Sequence, residues 1–140
     1  MTDRNAEGPG LLFEHVPYEY GAVAQSGSVL FSAGACPLDA DGHVRGLGDH
    51  VAQARVALDN LILALARFGA RPENLVKTTV YVVGEREDLV AVWNVVADAL
   101  APFRPPSTLL GVSGLGYSGQ LVEIEGIAAL PDSESKVDKS

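Results

Sequence analysis

The clearest pattern in the chain is an apolar stripe with helical spacing that begins just after Asp49. Apolar residues recur there every three or four positions, which is the period of one face of an α-helix. Asp49 can cap the free amides of the first turn and Gly69 is a natural stop, so we predict a helix between them. A second stripe predicts another helix over Glu85–Leu100. The first stripe consists of Val51, Ala54, Leu58, Leu61, Ile62, Leu65 and Phe68.

Strand patterns lie on both sides of the first helix. Val76–Val83 is rich in β-branched residues and contains Tyr, and such side chains pack well on a pleated sheet. Three short runs before the helix are also typical of strands, and Ser26-Gly27 is a two-residue turn signal between the second and the third. These runs are Leu11–Val16, Tyr20–Gln25 and Ser28–Ala33.

The stretch Pro105–Ala129 holds two extended runs that are joined by a Gly-rich segment, and we predict a hairpin there. In the second run Glu123 and Glu125 alternate with small or apolar residues. Because side chains repeat every second residue along a strand, both carboxylates are expected on one face. Neighbouring carboxylates repel and resist burial, so a protein keeps them in water or uses them for chemistry. The opposite face is expected to carry Val122, Ile124 and Gly126.

The predicted order of elements is β-β-β-α-β-α-β-β. This order indicates an α+β fold, with one mixed sheet and both helices on one of its faces. The other face still carries Val, Leu, Ile and Tyr, and the simplest cover for it is another copy of the chain. We expect residues 1–10 to form a flexible N-terminus, residues 11–130 a single domain and residues 131–140 a disordered tail.

Composition narrows the range of partners and compartments. The net charge is −8, with only ten Lys and Arg, which argues against nucleic acid and anionic membranes as partners. The single cysteine excludes an intramolecular disulfide and a multi-cysteine metal site. No apolar run approaches the ~20 residues of a membrane span, and the first ten residues lack the apolar core of a signal peptide. We therefore expect a soluble, cytoplasmic protein.

Four spaced motifs resemble the RidA (YjgF) family of reactive-intermediate deaminases. They are FSAGACPLDADG at 31–42, AQARVALDNL at 52–61, LVKTTVYV at 75–82 and LVEIEGIA at 121–128. The resemblance implies a chorismate-mutase-like fold and a homotrimer with a central β-barrel and clefts between its subunits. In that family the clefts hydrolyse imines and enamines of 2-imino acids to 2-keto acids and ammonia, without a metal or cofactor.

The resemblance also implies roles for three residues. Glu123 matches the carboxylate that positions the attacking water, Tyr20 the tyrosine of the cleft and Gly34 the glycine that offers its backbone amide. Two alternatives remain open at this stage. Glu123 can be a solvated strand residue, and Tyr20 can be a half-buried core or interface residue.

Other residues at the implied cleft depart from the family. Ser107 occupies the position of the arginine that binds the substrate carboxylate in the family, so the sequence resembles an arginine-lacking branch. Thr108 follows it, and Ala35 replaces the last residue of a Ser-Gly-Gln segment.

Cys36 has no cationic neighbour in sequence, so it is expected to line the cleft as a small hydrophobic residue, although a nucleophilic thiol is the alternative. Arg104 is either a solvated loop residue or a replacement cation.

These features suggest a trimer with small-metabolite clefts that hydrolyses imines or enamines of a non-standard kind, because a serine hydroxyl lacks the charge that binds a carboxylate. The alternative is a non-catalytic trimer that binds or senses a metabolite. Ribonuclease activity, suggested for some relatives, fits poorly with the acidic composition.

Overall fold

The structure, a computed structural model, describes residues 12, 14–24 and 26–132. Within them both α-helices cover one face of a single four-stranded mixed sheet, which confirms the predicted α+β fold. The predicted N-terminus at 1–10 lies outside the described residues, and so does the predicted tail at 131–140 except for its first two residues. No described helix combines the length and apolarity needed to cross a membrane. In chain order the elements are β1 (Val29–Phe31), α1 (His50–Arg67), β2 (Leu75–Val82), α2 (Arg86–Ala99), β3 (Ser107–Gly111) and β4 (Val122–Ala129).

Helix α1 begins and ends close to the predicted residues. The Asp49 carboxylate accepts a hydrogen bond from the Ala52 amide at 3.0 Å and caps the first turn. After the last turn Gly69 adopts φ 82°, a left-handed conformation that favours glycine. Two side chains lie where the stripe did not place them. Gln53 is fully buried because its amide bonds to loop backbone, and Phe68, just past the helix, is 61% exposed.

The strand order across the sheet is β1-β4-β2-β3, and it shows that the hairpin predicted for Pro105–Ala129 is wrong. Strand β3 pairs in parallel with β2 at one edge, because helix α2 carries the chain back in a crossover. Strand β4 lies antiparallel between β1 and β2. Both extended runs exist as predicted, but each pairs with β2 and not with the other.

The N-terminal segment forms no strand over residues 14–24, so the strands predicted at Leu11–Val16 and Tyr20–Gln25 are wrong in their described parts. Most of these residues are exposed, and none pairs with the sheet. A backbone hydrogen bond from the Glu19 amide to the Arg104 carbonyl, 3.0 Å long, attaches the segment to the start of β3 instead. Propensity alone does not make a strand when no partner edge is near.

Strand β4 presents different faces to the core and to the outside, as its alternation predicts. Glu123 and Glu125 lie half-buried on the face away from the helices, while the residues that alternate with them, Val122, Ile124 and Gly126, are buried. The core under the helices has a single apolar cluster, which keeps β4 rigid beside the carboxylates. Its fully buried members include Leu61 and Leu65 of α1, Val80 and Val82 of β2, Val92 of α2, and Val122 and Ile124 of β4.

The sheet face away from the helices, which we call the open face, has a polar centre and apolar edges. Register places Tyr81 beside Glu123 and Thr79 beside Glu125 in the centre. The face carries apolar and aromatic residues as predicted, including Tyr81 and Ile127 of the central strands, but two carboxylates and Thr79 lie among them. The exposed apolar side chains are Val29 and Phe31 of β1 at one edge and Leu110 of β3 at the other, exposed by 45%, 70% and 42%.

Candidate active site

The carboxylate of Glu123 lies against a segment that follows β1. The Cys36 thiol donates a hydrogen bond to Glu123 Oε1 at 3.5 Å, and the Gly34 carbonyl is a second acceptor at 3.6 Å. On the other side, Oε2 occupies the space beside the Gly34 α-carbon, where a Cβ at position 34 would overlap it. The structure thus brings together the predicted Glu123, Gly34 and Cys36, which are separated by almost ninety positions in the chain.

The backbone around Gly34 leaves one amide unused. Ser32 donates to the Gly126 carbonyl at 2.9 Å, and Ala35 and Ile124 exchange bonds of 2.7 and 3.1 Å. The two residues between these pairings bulge out of the ladder. Among the described residues, none accepts a hydrogen bond from the Gly34 amide. A free amide beside a carboxylate can donate to a ligand or to water. The predicted Ala35 takes part in the backbone pairing with Ile124, while its side chain packs on the core.

Gln120 is a member of the site that the sequence motifs did not reveal. Its side chain is only 4% exposed, and its Nε2 donates to Glu123 Oε1 at 3.1 Å. A buried polar residue next to an apolar strand is a weak signal in a sequence, since its partner is visible only in the fold. The carboxylate is therefore held at Oε1 by two donors, the Cys36 thiol and the Gln120 amide.

Burial raises the pKa of the Cys36 thiol, and the charge of Glu123 raises it further; a hydrogen bond from Gln120 acts in the opposite direction, more weakly. A thiol with a raised pKa is mostly protonated near neutral pH, and the protonated form is a poor nucleophile. The raised pKa therefore argues against a nucleophilic Cys36, and its place in a cleft stays a prediction.

The alkylation rate of Cys36, measured with iodoacetamide across pH, is expected to reach half its maximum at a higher pH than free cysteine does. Replacement of the charged neighbour in Glu123→Gln should move that midpoint to lower pH, because the thiolate then meets no negative charge. The midpoint is compared and not the rate, since burial alone also slows the reaction. An unchanged midpoint in the variant would show that Glu123 does not influence the thiol.

Ser107 and Thr108 lie on opposite faces of the sheet, and neither reaches Glu123 within one chain. Ser107 pairs in register with Thr78 on the helix-covered face, where its Oγ accepts a hydrogen bond from Thr78 Oγ1 at 2.7 Å. Thr108 lies on the open face, and its Oγ1 accepts a bond from Lys77 Nζ at 2.6 Å. A site that contains both Ser107 and Glu123 therefore needs a second copy of the chain.

Ser107 lines a cavity of about 200 Å³ together with two aromatic side chains, Tyr18 and Trp93. The predicted Tyr20 is 47% exposed and packs edge-on against Tyr18, with ring centroids 5.7 Å apart. Tyr18 in turn packs edge-on against Trp93 at 6.1 Å. Within one chain Tyr18, not Tyr20, is the tyrosine of this cavity. Its proximity to Ser107 depends on the non-strand path of the N-terminal segment, which the sequence patterns did not predict.

Arg104 is engaged by the N-terminal segment. Its guanidinium donates to Glu19 Oε2 at 3.1 Å and to the Val16 and Tyr18 carbonyls at 2.8 and 3.3 Å. These contacts favour the structural interpretation of Arg104 over that of a replacement cation. The Lys77 ammonium donates a hydrogen bond to Thr108 Oγ1. Lys77 is therefore a cation beside a predicted cleft residue of β3.

One described group of side chains, Asp39, Asp41 and His43, has oxygen and nitrogen atoms close enough together to hold a metal ion. Asp39 Oδ1, however, accepts the backbone amides of Asp41 and His43 at 3.0 and 2.9 Å, and Arg45 approaches Oδ2 to 3.7 Å. These donors lower the pKa of Asp39, with the His43 amide as the main cause. These bonds close a turn, which is typical of the Pro, Asp and Gly residues in the run PLDADG at 37–42.

Comparison with known proteins identifies the family. The model of the family described as endoribonuclease L-PSP matches residues 14–130. No curated protein matches the chain significantly. Among solved structures, the Rid-family protein YyfB from Yersinia pestis is 28% identical, with a TM-score of 0.79 over 87% of this chain and 95% of its own.

Two further solved structures agree. Rv2704 from Mycobacterium tuberculosis, of the YjgF/YER057c/UK114 family, is 31% identical, with a TM-score of 0.63 over 76% of this chain and 82% of its own. The YjgF gene product from E. coli is 28% identical, with a TM-score of 0.64 over 82% and 89%. Together with the motifs and the sheet order, these matches show that the chain belongs to the endoribonuclease L-PSP family, which includes the YjgF and Rid proteins.

Proposed function

We propose that this protein hydrolyses imines or enamines of small, uncharged metabolites in clefts between the subunits of a homotrimer. The observation that carries the proposal is the Glu123 carboxylate, which is half-buried, held at Oε1 and placed beside the free amide of Gly34. A fixed carboxylate next to a backbone donor suits general base catalysis with water as the nucleophile.

The reaction needs no redox partner. Glu123 accepts a proton from water as the water oxygen bonds to the imine carbon, and the electron pair of the C=N double bond moves to nitrogen, which takes up a proton. In the resulting carbinolamine the hydroxyl proton passes to nitrogen, the C–N bond breaks with its electron pair on nitrogen, and ammonia leaves as the C=O double bond forms. The products are one carbonyl compound and one ammonia for each imine and water consumed. The Gly34 amide is suited to donate to an oxygen that becomes negative during these steps.

The homotrimer is inferred from the family and from two features of the chain. The apolar side chains at the margins of the open face, Val29, Phe31 and Leu110, are exposed in a single copy. Ser107 and Glu123 also lie on opposite faces, so that a neighbouring subunit is required to complete a cleft with both. Covering the open face with other copies would bury these apolar side chains, and a shared cleft further requires that the β3 edge of a neighbour brings its Ser107 to Glu123.

The choice of an uncharged substrate follows from the residues around Ser107. Its hydroxyl accepts a hydrogen bond from Thr78 and keeps its own proton to donate to a carbonyl or amide oxygen. The nearby Arg104 is bound to Glu19 and to two carbonyls. Loss of a charged hydrogen-bond partner costs about 1.5–3 kcal/mol, which is roughly tenfold to a hundredfold in rate.

The test compares two freshly generated imines of equal size, a 2-imino acid and the corresponding 2-imino amide, by following ammonia release with the trimer confirmed by native mass spectrometry. We expect acceleration of the imino amide, and we expect turnover of the imino acid to be roughly tenfold to a hundredfold less efficient. Ser107→Arg should raise turnover of the imino acid.

Each contrary result has a distinct meaning. If neither imine is hydrolysed faster than in buffer, the proposal is wrong and a non-catalytic metabolite-binding trimer becomes the better interpretation. Equal turnover of both imines would overturn only the substrate preference, and Lys77→Met would then show whether the ammonium beside Thr108 binds the carboxylate. A stable monomer would remove the intersubunit cleft.

A further inference from the structure

The Gln120 side chain is locked in one orientation by its surroundings. Its Oε1 accepts the Tyr117 amide at 3.1 Å, and its Nε2 donates to the Val122 carbonyl at 3.1 Å as well as to Glu123 Oε1. A flipped amide would turn its oxygen toward a carbonyl and a carboxylate and its NH₂ group toward an N–H donor. The network therefore assigns the NH₂ group to the side of Glu123 and Cys36 and the oxygen to the Tyr117 amide.

The two oxygens of Glu123 are consequently unequal. Oε1 receives the Gln120 amide and the Cys36 thiol, whereas none of the described residues donates to Oε2, which lies beside Gly34. Donors on one oxygen stabilise negative charge there and restrict rotation of the carboxylate. The oxygen without donors keeps its lone pairs available to water.

We infer that Gln120 is a positioning residue for the Glu123 carboxylate, holding it through Oε1 so that Oε2 receives the proton of the attacking water. The inference deepens the proposed hydrolysis and rests on it for the role of Oε2; the bond between Gln120 and Glu123 can be tested without any activity. It also links the carboxylate to the segment before β4, since the Gln120 and Tyr117 backbones are joined at 2.9 Å.

The chain supplies a matched control in Gln53. This residue is a second buried glutamine that secures the same segment, donating from Nε2 to the Gly119 carbonyl at 2.9 Å and accepting the Leu121 amide at 2.7 Å. It makes no hydrogen bond to Glu123. A role that is merely structural would make Gln53→Met and Gln120→Met equivalent, whereas a positioning role would separate them.

The first measurement uses the unaltered protein. With labelled side chains, NMR follows the Glu123 carboxylate carbon and the NH₂ groups of both glutamines against pH. We expect the Gln120 NH₂ signals to move with the same midpoint as the Glu123 carboxylate and the Gln53 signals to stay constant. Gln120 signals that ignore the titration of Glu123 would overturn the inference, and this result does not depend on whether Gln120→Met folds.

The second measurement uses the variants. Gln120→Met removes a donor to Glu123 Oε1 and so leaves the carboxylate free to rotate. On the imino amide it should lower kcat about tenfold to a hundredfold with little change in KM. Gln53→Met should lower the melting temperature without this loss of kcat.

The outcomes separate this inference from the proposed function. If the protein hydrolyses no imine, the proposed function fails while the NMR titration still decides whether Gln120 holds Glu123. If hydrolysis is observed and Gln120→Met keeps the kcat of the unaltered protein, the positioning role is wrong. Equal losses of kcat in Gln53→Met and Gln120→Met would likewise assign the effect to packing of the segment.

Discussion

Glu123→Gln is expected to reduce imine hydrolysis by roughly 10²–10⁴-fold while leaving the fold and the oligomer unchanged. The substitution keeps the size of the side chain and removes the group that accepts a proton from water. It also removes the charge beside the Cys36 thiol, so the thiol titration serves as an internal check on the same variant. The measurement is initial-rate ammonia release, with light scattering for the oligomer.

Glu125→Gln is the matched control, because Glu125 is on the same strand and the same face. It interacts with Tyr81, whose pKa is raised first by burial and then by the hydrogen bond and charge of Glu125, with a smaller effect from Glu123. The control should therefore lower the pKa of Tyr81 and leave hydrolysis within about threefold of the unaltered protein. Equal losses in the two variants would mean that negative charge on the open face matters, and not the position of Glu123.

Gly34→Ala is expected to abolish most activity and to destabilise the protein by about 1–3 kcal/mol, because the new methyl group overlaps the Glu123 carboxylate. The backbone at this position does not require glycine, since Gly34 is not among the residues with positive φ. The effect is therefore one of space. Gly114→Ala is the control, because an added Cβ there meets no atom within 4 Å.

A double-mutant cycle tests the cause of this effect. In a Glu123→Ala background the overlap is absent, so Gly34→Ala should cost less than about 0.5 kcal/mol in free energy of unfolding from urea titration. An equal cost in both backgrounds would indicate strain elsewhere around the bulge. If Gly34→Ala is active and stable, the carboxylate can move aside, and its observed position is not essential to the chemistry.

The sequence by itself determined the local elements and part of the site. Caps and apolar spacing placed both helices within a few residues, because these signals act over a single turn and depend on nearby groups. Alternation in β4 placed Glu123 and Glu125 on one face, because the strand period is a property of the backbone. The motif around Gly34 and the motif around Glu123 pointed to the family that the comparisons show.

Only the tertiary structure decided which strands pair and which side chains meet. The predicted hairpin failed because pairing is non-local: β2 offers both of its edges, so β3 and β4 lie on either side of it. The same sheet order separates Ser107 from Glu123, and the strand-free N-terminal segment brings Tyr18 to Trp93. Only the fold assigns Gln120 to the site, for the same reason. A buried amide gives only a weak signal in the sequence, and its role is set by the donors and acceptors that folding places around it.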